Sequence, residues 1–146
     1  MFGILIAIVS GILMSVQGVF NTGVTKQTNL WISSSFVQLS AFIVCFIGWF
    51  LAGREVSFGS LFKIENKYML LGGVIGAFIT FTVVLGMGSL GPARATMLIV
   101  TAQLITSYLI ELFGLFGNDK ADFEWRKVLG VVIIIAGIII FKWETN

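Results

Sequence analysis

Five stretches without a charged side chain divide the chain: Met1 to Thr25, Gln27 to Gly53, Tyr68 to Ala93, Ala95 to Ile110 and Val128 to Phe141. A hydrocarbon slab of ~30 Å needs about 20 apolar residues in an α-helix that rises ~1.5 Å per residue. The first three stretches qualify directly. The fourth has 16 residues between Arg94 and Glu111, and Leu112 to Phe116 continue it apolarly. It spans if Glu111 is sheltered or reaches the interface. The fifth has 14 uncharged residues, extended by Arg126, Lys127 and Lys142, whose long side chains can snorkel outward. The pattern predicts helices over 2–21, 31–52, 68–88, 93–116 and 126–143. The predicted fold is an all-α integral membrane protein, a single five-helix transmembrane domain over 1–146.

The tryptophans fit this map. Trp31 and Trp49 bracket the second span and Trp125 and Trp143 the fifth, each pair 18 residues apart. That is about 27 Å along a helix, the separation of two interfacial aromatic belts. The first span is expected to be a retained helix rather than a signal peptide. Its uncharged run of 25 residues exceeds the usual apolar region and no basic side chain precedes it. Orientation follows the basic residues. Arg54, Lys63, Lys67, Lys120, Arg126 and Lys127 fall on the side of the amino terminus, against Lys26, Arg94 and Lys142 on the other. This six-to-three bias predicts a cytoplasmic amino terminus, and is small enough to leave dual insertion open. With five spans, a copy inserted the other way up would complete a ten-helix inverted repeat, of which this chain is half.

Composition turns the lipid requirement from local to global. The 146 residues are 58% hydrophobic, 14% aromatic and 11% charged, with a mean hydropathy of +1.03. Soluble chains are about 25% charged, so a water-soluble domain is excluded and the bilayer is the first expected partner. One cysteine, Cys45, and no histidine leave no internal disulfide and no zinc-type site. No metal and no cofactor are expected. The net charge of +2 gives no reason to expect nucleic acid.

Polar residues inside the apolar spans then carry the candidate chemistry. Helical residues four or seven apart share a face. On the first span that face holds Gly3, Ser10, Met14, Gln17 and Asn21. Two amides one turn apart must face protein or water, because an unsatisfied polar group in lipid costs several kcal/mol. The second span places Ser34, Gln38, Ala41 and Cys45 on one face. The third is glycine-dense, and Gly72-x-x-x-Gly76, continued by Thr80, predicts close helix packing or a cavity wall. The fifth sets Gly130 and Gly137 seven apart in a branched aliphatic helix, the spacing expected of a packing face against a partner helix.

The fourth span reads GPARATMLIVTAQLITSYLIELFG from Gly91 to Gly114. Pro92 suits a helix start, where its missing N–H costs nothing. Thr96, Gln103, Ser107 and, obliquely, Glu111 share a face. Arg94 lies roughly 25 Å from Glu111 along the axis, so the two cannot pair within one helix, and any pairing would need a second, inverted copy. A carboxyl at membrane depth is a functional candidate because desolvation disfavours its charged form and makes proton exchange accessible. Glu111 is therefore the expected proton-coupling residue, or else an interfacial group within a turn of the helix end. Arg94 is either an interface anchor or a site for an anionic group. Asp119, Asp122 and Glu124 lack the glycine turn and terminal glutamate of a calcium loop. Interspersed with Lys120, Arg126 and Lys127, they read as a solvated loop. The spans hold no paired catalytic acids, and an enzyme is not expected.

The five-span layout, the SVQGVFN segment with Gln17 and Asn21, and above all LGPARATMLIVTAQLITSYLIELFG from Leu90 to Gly114 resemble the YdcZ-type inner-membrane exporters of the drug/metabolite transporter superfamily. The resemblance covers essentially the whole chain. Its most specific part runs from Gln103 through Glu111 to Phe113 and Gly114. It implies a bacterial plasma membrane and an antiparallel assembly, as a homodimer or as a heterodimer with a related five-helix protein. The superfamily's small multidrug-resistance members are similar in principle, with a glycine heptad in the last helix that Gly130 and Gly137 echo. They keep a coupling glutamate in the first helix, where this chain has Gln17, so that role does not transfer.

Together these readings predict a secondary transporter or exporter of a small polar or cationic solute, working by alternating access in an antiparallel dimer. Gln17, Asn21, Gln38, Thr96, Gln103, Ser107 and Glu111 are its expected substrate-facing residues. The alternative, a non-transporting membrane subunit that stabilises a partner complex, stays open. It would leave the amides dispensable and the glycine face essential.

Overall fold

The computed structural model describes residues 1–142, with Lys142 described in its backbone alone. Five α-helices follow one another, α1 Phe2–Gln27, α2 Leu30–Leu51, α3 Gly72–Leu90, α4 Pro92–Phe113 and α5 Trp125–Lys142. There is no strand among the described residues. Among the described residues, four helical segments are long and apolar enough to cross a membrane, namely Phe2–Gln27, Leu30–Leu51, Lys67–Leu90 and Pro92–Phe113. The 18-residue α5 is apolar between its ends, where Arg126, Lys127 and Lys142 stand. Trp143, expected as the outer partner of Trp125, lies outside the described residues.

The helix limits follow from local chemistry. α1 runs six residues past its expected end at Asn21, and the Thr22 hydroxyl there donates back to the Gly18 carbonyl at 2.8 Å. It stops at Thr28, whose N–H and hydroxyl both donate to the Val24 carbonyl, at 3.0 and 2.8 Å. Lys26 in its last turn suits the negative end of the helix dipole. Asn29 then caps α2, its Oδ1 accepting from Ile32 N–H at 2.9 Å. α3 begins later than the expected residue 68, because Lys67–Leu71 forms a 3-10 turn that feeds into it.

α4 ends three residues short of the expected Phe116. Gly114 adopts the left-handed conformation, φ +61°, and its N–H turns back to the Glu111 carbonyl at 3.2 Å. That is the usual way a glycine closes a helix. Leu115–Gly117 continue as a single 3-10 turn, so the apolar tail is not part of the span.

The described residues form two compact units, Met1–Gly88 and the chain from Ser89 onward. In the first, α1 and α2 form a hairpin joined through Thr28 and Asn29. Ser33 Oγ donates across it to the Asn21 carbonyl at 3.2 Å. α3 meets α2 through Gln38 and Thr80, 3.2 Å apart, and through the edge-on rings of Trp31 and Phe81. α3 meets α1 where Met87 and Val83 lie over Gly18, which has no side chain to hold them off. In the second unit α4 packs along α5. Few apolar side chains are buried, chiefly Val84, Met87 and Ala95, while most large ones are exposed. Lipid is the surface that suits such a chain.

Candidate functional site

The polar stripe of α1 lies along an open groove. Ser10, Met14, Gln17 and Asn21 line it with Leu13, Val16 and Phe20, all from α1 itself, so it is a shallow, open surface rather than an enclosed cavity. The longer α1 changes the depth of the amides. Gln17 and Asn21 stand ten and six residues before the end of the helix, roughly 15 and 9 Å along its axis. Gln17 is exposed in the chain and Asn21 is buried.

The second stripe divides by depth. Ser34 is buried, Gln38 is half-buried and engaged with Thr80, and Ala41 and Cys45 are exposed. The Thr80 hydroxyl in turn donates to the Gly76 carbonyl at 3.1 Å, so Gln38, Thr80 and the backbone of α3 form one relay. The expected close packing at Gly72 and Gly76 is absent within the unit. A Cβ built on either meets nothing within 4 Å. The tight approach falls at Gly18 instead, where a Cβ would come within 2.6 Å of Met87 Sδ and Cε.

On α4, Thr96 and Arg94 are half-buried while Gln103 and Ser107 are exposed. The buried polar side chain there is Thr101, whose hydroxyl donates to the Met97 carbonyl at 2.9 Å. Glu111 occupies the last turn, and its surroundings are not purely apolar. Lys127 Nζ of α5 lies 3.7 Å from Glu111 and 3.6 Å from Glu124. The same ammonium stands over the Tyr108 ring at 5.3 Å, and the Tyr108 hydroxyl accepts from Glu124 N–H at 3.1 Å. The Glu111 carbonyl also accepts from Ala121 N–H at 2.9 Å. The loop from Gly114 to Glu124 is thus stitched to the end of α4, with one lysine shared by two carboxylates. The side chains of Lys127 and Glu111 remain 38% and 54% exposed, so water or lipid headgroups screen the pair.

Three participants escaped the sequence reading. Ser33 is fully buried and binds the Asn21 carbonyl. The triple serine Ser33–Ser35 at the start of α2 was the available signal. Tyr108 and Lys127 gather around Glu111 only because the α4–α5 turn reverses the chain, which no helical spacing discloses. Gly130 is half-buried and Gly137 exposed, and a Cβ at either would meet nothing within 4 Å.

Residues 2–140 match the family described as "Putative inner membrane exporter, YdcZ". The chain belongs to the YdcZ family. It is accordingly a multi-pass protein of the bacterial inner membrane, and its family function is that of a transporter. No curated protein and no solved structure matches it.

Proposed function

We propose that this YdcZ-family chain is a secondary transporter that exports a small polar or cationic solute by alternating access, working as an antiparallel dimer of five-helix protomers. α5 is the fifth span. The observation that supports this reading is the exposure of Gln17 on α1 and of Gln103 and Ser107 on α4, within helices of membrane-crossing length. An amide facing hydrocarbon costs several kcal/mol. Such groups therefore face either water or a second chain, and a transport pathway between two protomers supplies both. We assign Gln17, Asn21 and Gln38 of the first unit, and Thr96, Gln103, Ser107 and Glu111 of the second, to substrate handling. Arg94 is assigned to an anionic group, and Gly130 and Gly137 to the dimer contact.

Proton coupling is assigned to Glu111. Protonation would remove one of the two carboxylates that share Lys127 and leave Glu124 to hold it, which loosens the end of α4 from the start of α5.

The experiment is transport in proteoliposomes, with ethidium as the cationic probe and internal pyranine reporting protons, with and without a pH gradient. Gln17→Leu and Gln103→Leu should lower transport at least tenfold while dimers persist. Gly137→Leu should disperse the dimers. Glu111→Gln should abolish the response to the gradient, and an unchanged response removes the coupling assignment. Amide variants with full activity would instead favour a non-transporting subunit.

A further inference from the structure

We propose that the segment from Arg54 to Leu71 is an in-plane anchor that lies in the headgroup region of an anionic bilayer, rather than a loop in water. The chain leaves α2 through two consecutive left-handed residues, Gly53 at φ +87° and Arg54 at φ +54°, and so turns back on the helix it has just left. Trp49 Nε1 donates to the Val56 carbonyl at 2.9 Å, and the Phe58 ring stands edge-on to Trp49, 4.8 Å between centroids. Phe58 also reaches Phe46 at 5.9 Å. Phe46 precedes the last residue of α2 by five positions, roughly 7.5 Å along the axis. The returning segment is therefore held against α2 at about the depth of an interfacial helix, ~5–10 Å into the headgroup and acyl boundary.

What the segment presents at that depth is apolar. Phe62 is 86% exposed, and Val56, Phe58 and Leu61 are exposed with it. An exposed apolar patch of this kind marks a membrane or protein contact. This one lies between α2, which ends at Leu51, and α3, which begins at Gly72, two helices in segments long and apolar enough to cross a membrane, which keep it at the bilayer surface. Basic residues frame it. The Arg54 guanidinium lies over the Phe50 ring at 4.3 Å, placing a cation at the end of α2, and Lys63 and Lys67 are exposed. With Glu55 and Glu65 the segment carries a net charge of +1, so apolar immersion anchors it and lipid phosphates add a modest electrostatic preference.

The test uses spin labels on the full chain in nanodiscs, in a Cys45→Ala background. Labels at Phe62→Cys and Val56→Cys are compared with one at Asp119→Cys in the loop after α4, each variant first shown to be monodisperse. The Phe62 and Val56 labels should relax at least fivefold more with oxygen than with an aqueous nickel chelate, relative to the Asp119 label. Equal ratios at all three positions overturn the anchor. Raising phosphatidylglycerol from none to half of a phosphatidylcholine bilayer should deepen the Phe62 label, and Lys63→Gln with Lys67→Gln should abolish the deepening. Equal depth in both bilayers overturns the role of the phosphates.

Discussion

Replacing Gly18 with alanine measures how α1 is held against α3. A Cβ at this position would lie 2.6 Å from both Sδ and Cε of Met87 and 3.3 Å from Cγ1 of Val83, where ordinary contacts are about 3.5–4.0 Å. The end of a methionine is flexible, but Met87 is only 5% exposed and its neighbour Val84 is buried, so the displaced atoms have little room. Overfilling such a site costs about 1–3 kcal/mol, against which alanine gains about 0.5–1 kcal/mol over glycine in a helix. Gly11 supplies the control. It lies in the same helix with nothing within 4 Å of its built Cβ, so Gly11→Ala should be neutral or stabilising by up to ~1 kcal/mol. The difference between the two alanines removes the propensity gain and leaves the steric cost of ~1–3 kcal/mol. Unfolding in mixed micelles by added dodecyl sulfate, followed by tryptophan fluorescence, reads it directly. Adding Met87→Ala to Gly18→Ala should recover part of the loss, a coupling of at least ~0.5 kcal/mol. Two alanines that agree within ~0.5 kcal/mol, or a pair with no coupling, would refute the close approach.

Three further substitutions have defined outcomes. Gly114→Ala forces a side chain into the left-handed region, with its Cβ 3.3 Å from the Asn118 carbonyl and Lys120 Cβ, and should cost about 1–2 kcal/mol in the same unfolding assay. Asn29→Ala removes the oxygen that accepts from Ile32 N–H and should cost about 1 kcal/mol, whereas Asn29→Asp should hold within ~0.5 kcal/mol. Lys127→Met breaks two partly exposed pairs. Its cost of about 0.2–1 kcal/mol per pair should shrink in 1 M salt, where screening is within ~3 Å. A loss that is independent of salt would assign Lys127 to packing on Tyr108 instead.

Four of the spans are legible because lipid imposes one rule on the whole length of a helix, and an uncharged run is that rule written in sequence. Helix ends were less legible. Nothing in the pattern separated the helical Thr22–Gln27 from a loop, and the closure of α4 at Gly114 depended on a left-handed φ that the apolar Leu115 and Phe116 disguised. The polar stripe of α1 is readable as a face because its members share one helix. The surroundings of Glu111 were not readable. They depend on a turn that brings Lys127 and Tyr108 back beside it, and on charges that a residue count had placed in a solvated loop. Short-range periodicity shows which residues share a face; it does not show what folds over that face.

The glycines carry the same distinction further. Small residues in membrane helices serve close approach, since lipid tails leave no hydrophobic drive between helices and packing must supply the attraction. Gly18 fulfils this inside the first unit. Gly72, Gly73 and Gly76 on α3 and Gly130 and Gly137 on α5 have open space where a Cβ would stand, although they form the faces best suited to a neighbour. The exposed amides of α1 and α4 pose the matching problem for polarity, as groups too costly to leave in lipid. One kind of feature lacks a packing partner and the other lacks a polar environment. The antiparallel partner proposed above would meet both needs. This is why Gly137→Leu and Gln103→Leu should fail differently, the first by dispersing the dimers and the second by leaving them assembled with transport lowered at least tenfold.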